Sequence, residues 1–258
     1  WSSVQGSAAG LVLAGQATVQ AGIDDGINAI EFSNDPTLDF EGAITQTFLL
    51  TDNDGTVLEA DILVNDRRFS FNTDAGNVGL DLETIMLHEL GHLLGLDHSP
   101  VGTTSGSFGQ QTVDEDSAVM FPLMRGPTEV ARQLTEDDQA AIAGLYPSGG
   151  VRGAISGRVT LDGSGVFGAH VLVFDPLRQV LTGAVTLPDG SYRLGGLPPG
   201  RYVVRVQPLN GIAGPSSLGG IFSQNTALVN TTFFSTFLDR VIEIRAGTEV
   251  DGVNLEVR

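Results

Sequence analysis

Apolar positions along the first half of the chain recur at two periods, and the change of period marks the change of element. Residues 42–50 and 57–65 are strand-length runs, and Thr51–Thr56 between them carries Asp54-Gly55 at its tip, so the pair reads as two strands joined by a turn. From Leu82 the pattern turns helical. Residues 82–94 read as one helix, with Asp81 placed to cap its start and Gly95 to stop it, since glycine takes the left-handed backbone that a side chain resists.

Past Pro147-Ser148-Gly149-Gly150 the chain changes to short strand-length runs split by turns. These are Ile155–Leu161, His170–Phe174, Val180–Thr186, Ser191–Leu194, Tyr202–Val206, Arg240–Ile244 and a last run through Val253, Leu255 and Val257. Pro188-Asp189-Gly190 and Leu197-Pro198-Pro199-Gly200 punctuate them. Tyr202, Val204 and Val206 alternate with Val203 and Arg205, the mark of a half-buried strand. The region is predicted to be an antiparallel β-sandwich of about seven strands. Asn210–Asn230, rich in Gly, Ser and Asn, is expected to be a long loop.

A chain of 258 residues holds one large or two ordinary domains. The net charge of −18 falls almost wholly on the first half: residues 1–150 hold 23 acidic and 4 basic residues, residues 151–258 hold 8 and 9. So acidic a half argues against nucleic acid or an anionic membrane as partner. The absence of cysteine removes disulfides, thiol catalysis and a cysteine latch on a metal. No run reaches the roughly 20 apolar residues of a membrane span.

The chemistry concentrates in His88-Glu89-Leu90-Gly91-His92-Leu93-Leu94-Gly95-Leu96-Asp97-His98. On a helix His88 and His92 leave the same face one turn apart, so both can reach one metal ion. Glu89 is rotated by about 100° from His88 and sits beside the ion, where it can polarise a bound water. After Gly95 the chain can fold back and bring His98 as third ligand. Three histidines leave one position open for water, the arrangement of a catalytic zinc site. His170 is read as a structural or surface residue. Asp52, Asn53, Asp54, Asp114, Glu115 and Asp116 are oxygen-rich clusters that suit calcium as well as they suit solvated turns.

The segment His88–His98 resembles the zinc-binding consensus of the metzincin metalloendopeptidases, and Ser99 after it resembles the matrixin branch. The resemblance covers residues 1–148. It implies a methionine turn, matched by Ser117–Pro122 with Met120 as the apolar floor, and a specificity-pocket wall at Phe121, Pro122 and Leu123. Leu134–Pro147 resembles the last matrixin helix, with Thr135 and Asp138 as a capping-box-like start. By resemblance either Asp137 or Asp138 ties that helix to the methionine turn. Residues 25–32 resemble a family strand, and residues 57–65 the edge strand that pairs with an extended peptide. The second structural zinc site of vertebrate matrixins has no match, since no histidine precedes His88. The abrupt start at Trp1 implies a signal peptide, first strand and first helix lying upstream. The second region, over residues 153–207, looks like carboxypeptidase-regulatory-like domains, transthyretin-like sandwiches appended to secreted enzymes.

These readings imply a two-domain chain: an α+β metzincin-like catalytic domain over 1–148, then an all-β sandwich over 151–258. The implied function is that of a secreted, bacterial, monomeric zinc endopeptidase with one catalytic zinc. Glu89 would act as base and His88, His92 and His98 as ligands, on protein or peptide substrates bound in extended form. The competing reading is a silent metzincin-fold binding or adhesion protein acting through its sandwich.

Overall fold

The computed structural model describes all residues except 17, 23, 75–78, 108–109, 115 and 124–129, and the side chains of 105–107 and 110–112. The chain divides into two compact units. One comprises Leu11–Leu96 with Arg125–Gln133; the other comprises Trp1–Gly10, Asp97–Met124 and Leu134–Arg258.

The first unit holds strands β1 (Ile30–Ser33), β2 (Thr45–Thr51) and β3 (Val57–Asn65), in the order β1-β3-β2, and helix α1 (Leu82–Leu93). Strand β3 runs parallel to β1 and antiparallel to β2. The expectation that residues 57–65 form the edge strand is corrected here: β3 is central and β2 is the edge. The burial explains it. Ala60–Asn65 are buried without a break, as a strand covered on both faces must be, while Phe48, Leu49 and Leu50 of β2 are exposed. The β2–β3 turn closes as the Asp-Gly chemistry predicts, with Asp52 Oδ1 accepting the Asp54 and Thr56 N–H groups and Gly55 at φ +81°.

Strand β1 is shorter than the 25–32 reading. Two buried acids of β3 explain the loss: Asp61 accepts the Gly22 and Ala29 N–H groups, and Glu59 those of Asp25 and Gly26. Backbone donors that a strand would use are spent on carboxylates that burial would otherwise leave uncompensated.

In the second unit, helix α2 (Glu136–Leu145) starts with the predicted capping box between Thr135 and Asp138. A two-sheet sandwich follows. One sheet orders Val180–Val185, Ala169–Phe174, Gly200–Pro208 and Thr236–Phe237; the other centres on Gly153–Leu161, flanked by Ser191–Leu197 and Glu249–Val250. Tyr202, Val204 and Val206 point into the core with Ile155, Val171 and Val173, as the alternation predicted. The tyrosine hydroxyls inside it are satisfied, Tyr192 donating to the Val253 carbonyl and Tyr202 to that of Pro198.

Helix α2 packs on the strand Ser191–Leu197 through glycines. A Cβ at Gly196 (φ +68°) would stand 2.0 Å from the Ala140 carbonyl oxygen, so only glycine admits the helix there. The stretch expected as a long loop instead contains short helical turns at Pro215–Ser217, Gly220–Gln224 and Thr226–Leu228. Ala213 and Leu218, 5% and 4% exposed, pin its first half down, which composition alone does not reveal.

Candidate metal centre

Helix α1 begins where Asp81 accepts the Thr84 N–H. Arg132 grips the same carboxylate with two nitrogens, at 2.5 and 3.1 Å, and also reaches Glu83 and the Thr73 carbonyl. The Arg132 guanidinium beside Asp81 holds its carboxyl down at about 2. The helix ends as predicted, with Gly95 at φ +86° and the Gly95 and Leu96 N–H groups turned back onto the carbonyls of His92 and Gly91.

That helix places His88 and His92 one turn apart, their Nε2 atoms 3.1 Å from each other and their rings at 79°. Ligand atoms of His88, His92 and His98 all lie within 4.8 Å of one another, and among the described residues this is the group of His, Asp and Glu side chains that fits a metal ion. His92 Nδ1 faces the Leu96 carbonyl at 2.8 Å and His98 Nδ1 faces the Ser217 carbonyl at 2.7 Å. A carbonyl only accepts, so each Nδ1 carries its proton and each Nε2 presents a lone pair. The close approach of His92 Nε2 to His88 Nε2 suits a cation, since two ligands about 2.0–2.1 Å from one tetrahedral Zn²⁺ stand roughly 3.3 Å apart. Donor type, spacing and tautomer all fit zinc.

Glu89 is buried, and both its oxygens are held: Thr45 donates to Oε1 and Thr47 to Oε2. Neither threonine was found from the sequence. Their i, i+2 spacing puts both on one face of β2, but which face meets α1 is decided only by packing.

Residues 118–121, where the resemblance puts the methionine turn, form a turn in which the Phe121 N–H donates to the Ala118 carbonyl, and Asp138 rather than Asp137 ties it to α2. Its two oxygens accept the Val119 and Met120 N–H groups at 2.9 and 3.1 Å, while Thr135 donates from both its N–H and its hydroxyl. Burial raises the Asp138 pKa against those donors. Met120 is 1% exposed, and its carbonyl accepts the Ser99 N–H one residue past the third histidine. Asp137 turns elsewhere, accepting from the Ser99 hydroxyl at 2.6 Å and from the Gly183 N–H at 3.1 Å. Burial first, and then the neighbouring Asp138 charge, push it up to about 6. Phe121 is buried with Val113 and Ala213, and Leu123 packs on that cluster; Pro122 is half-buried.

The remaining candidates stand apart from this centre. His170 is 3% exposed inside the second unit, and burial pushes it down to about 4, so it stays neutral. Asp52 is occupied by its own turn and Asp114 by the Thr103 hydroxyl, while Glu115 lies outside the described residues.

With this geometry in view, the comparisons with known proteins are decisive for two segments. The matrixin family profile matches residues 30–147. Residues 30–147 are a matrixin domain. The carboxypeptidase regulatory-like domain profile matches residues 154–211, so a matrixin domain is followed by a regulatory-like one. Among curated proteins, Metalloendoproteinase 1-MMP of Arabidopsis thaliana is 39% identical over 72 residues, covering 28% of this chain and 16% of its own length. Karilysin of Tannerella forsythia is 37% identical over 75 residues, covering 29% of this chain and 12% of its own. The chain therefore matches less than a fifth of the length of either relative. Two solved structures resemble parts of the chain at 15% identity. The Bacillus anthracis TIE protein has a TM-score of 0.27, over 42% of this chain and 16% of that one. Klebsiella pneumoniae 5-hydroxyisourate hydrolase has a TM-score of 0.24, over 40% and 84%.

Proposed function

We propose that this protein is a secreted zinc endopeptidase, and the observation that carries the reading is the buried Glu89 carboxylate held beside three converging histidines. His88, His92 and His98 would hold the ion through Nε2. Bound zinc supplies a Lewis acid, able to bring a water pKa toward ~7 and to polarise a peptide carbonyl. Glu89 is the chain's own proton carrier: it takes the proton of the attacking water and returns it to the leaving amine. Thr45 and Thr47 keep that carboxylate aimed by holding both its oxygens.

The substrate would bind as an extended peptide along the free edge of β2, whose outer backbone groups pair with no other described strand. Backbone pairing of this kind accepts many sequences. Phe121, Pro122 and Leu123 would wall the pocket for an apolar side chain after the cut. No helix among the described residues is long and apolar enough to cross a membrane. Among the described residues the group that fits a metal ion is the histidine triad, and Asp52 is already used by the backbone of its own turn.

The test is cleavage of unfolded casein by the full chain. Activity should vanish with a zinc chelator and return with zinc. Glu89→Gln should keep one zinc per chain and lose cleavage by at least about a hundredfold, the lower range of acid–base catalysis. Zinc uptake by the wild type with no cleavage of any unfolded substrate would favour the binding-protein reading instead.

A further inference from the structure

We propose that the segment Ala213–Gly219 of the C-terminal region is a working part of the metal centre, with Ser217, Gly219 and Asp97 as positioning residues for His98. The inference rests on the zinc reading of the histidine triad.

The three ligands are not oriented alike. His88 and His92 are set by helix α1, and the ring of His92 is steered by the Leu96 carbonyl four residues on. His98 lies outside any helix or strand. Its Nδ1 is instead held at 2.7 Å by the carbonyl of Ser217, 119 residues further along the chain. One position earlier, the Asp97 carboxylate accepts the Gly219 N–H at 3.0 Å, and the same oxygen faces the His98 N–H at 3.2 Å. The two neighbours 97 and 98 thus grip 217 and 219 by a pair of hydrogen bonds.

The surroundings are built for the grip. Leu218, between the two contacts, is 4% exposed, and Ala213 lies in one buried cluster with Val113 and Phe121. Gly219 is required by proximity rather than by its backbone angle. A Cβ there would stand 2.1 Å from Asp97 Oδ1 and 2.6 Å from its Cγ, so any side chain expels the carboxylate and opens the clasp. Through the clasp the Ser217 carbonyl fixes the proton on Nδ1 and makes Nε2 the nitrogen that would donate to the ion. Outer partners of metal-bound histidines act in this way, and here the partner comes from the sandwich region and not from the matrixin domain.

The full chain carries the test, with zinc affinity read by chelator competition and the ligand field read from the absorption spectrum of the cobalt-substituted protein. Asp97→Ala and Gly219→Ala should each weaken zinc by about tenfold or more, the range that loss of such a partner costs. Both should shift the cobalt spectrum, and the double variant should do no worse than the poorer single one. Asp97→Asn, which keeps an accepting oxygen, should restore most of the affinity. Ser217→Ala should match wild type, because the backbone carbonyl is the partner. Wild-type zinc affinity and cobalt spectrum in folded Asp97→Ala and Gly219→Ala overturn the proposal and leave the zinc reading intact. Should Gly219→Ala fail to fold, the Asp97→Ala and Asp97→Asn pair decides alone, since Asp97 is exposed. A wild type that takes up no zinc overturns both readings.

Discussion

Glu89 gains its definition from two hydroxyls that no motif contains. A buried carboxylate beside a metal must be held in one rotamer if it is to meet a proton at the right moment, and Thr45 and Thr47 hold one oxygen each. Removing both donors should therefore act on catalysis and not on the metal. In Thr45→Val/Thr47→Val, kcat should fall roughly tenfold, a fraction of the full acid–base contribution, with zinc content unchanged. Steady-state kinetics beside metal analysis checks this; an unaltered kcat would remove the threonines from the machinery.

Among the elements, α2 and the methionine turn stand or fall together. Asp138 is fully buried and serves two ends, capping its own helix through Thr135 and accepting the Val119 and Met120 N–H groups. Asp138→Ala would strand two buried donors and open the capping box. The cost should be at least about 2 kcal/mol, since each of the two unsatisfied N–H groups costs about 1–3 kcal/mol and the opened capping box adds to that. Urea unfolding of the zinc-free protein measures it, and a loss below about 1 kcal/mol would mean that the turn holds without its anchor. The edge position of β2 was hidden for a related reason. Both runs, 42–50 and 57–65, read as strands, but the uninterrupted burial of Ala60–Asn65 and the neighbours of β3 are properties of the assembled sheet.

On the scale of the molecule, the compact unit that contains α2 also contains the sandwich, and Asp137 stitches them. Its carboxyl sits between the Ser99 hydroxyl and the Gly183 N–H, with its pKa pushed up to about 6 by burial and by Asp138. A carboxyl whose folded pKa exceeds its unfolded value of 3.8 binds protons more tightly when folded. Its ionisation therefore costs stability: the penalty is absent below pH 3.8, grows between there and about 6, and is full above. Asp137→Asn cannot ionise, so its urea midpoint should gain on wild type as pH rises from 4 to 7. Parallel curves for the two proteins over that range would sink the assignment. The opposite sign holds for Asp81, whose depressed pKa stabilises above about pH 4 and loses that effect as pH falls toward 2.

Local chemistry is legible without coordinates wherever partners lie within one helical turn or one hairpin. Asp81 and Gly95 bound α1, Thr135 and Asp138 open α2, the 88/92 spacing sets two ligands on one face, and Tyr202, Val204 and Val206 alternate into a core. Each follows from backbone periodicity and from single-residue preferences that act over a few positions. Contacts between residues far apart in sequence required the tertiary structure. Packing alone decided that β3 is central, that β1 yields its first residues to Glu59 and Asp61, and that Asp138 anchors the methionine turn while Asp137 reaches Gly183. It also decided that Thr45 and Thr47 hold Glu89 and that Ser217 holds His98. Backbone carbonyls, N–H groups and threonine hydroxyls are the partners in these contacts. Such groups occur throughout any chain, so no spacing marks the ones that a fold will bring to a carboxylate or an imidazole.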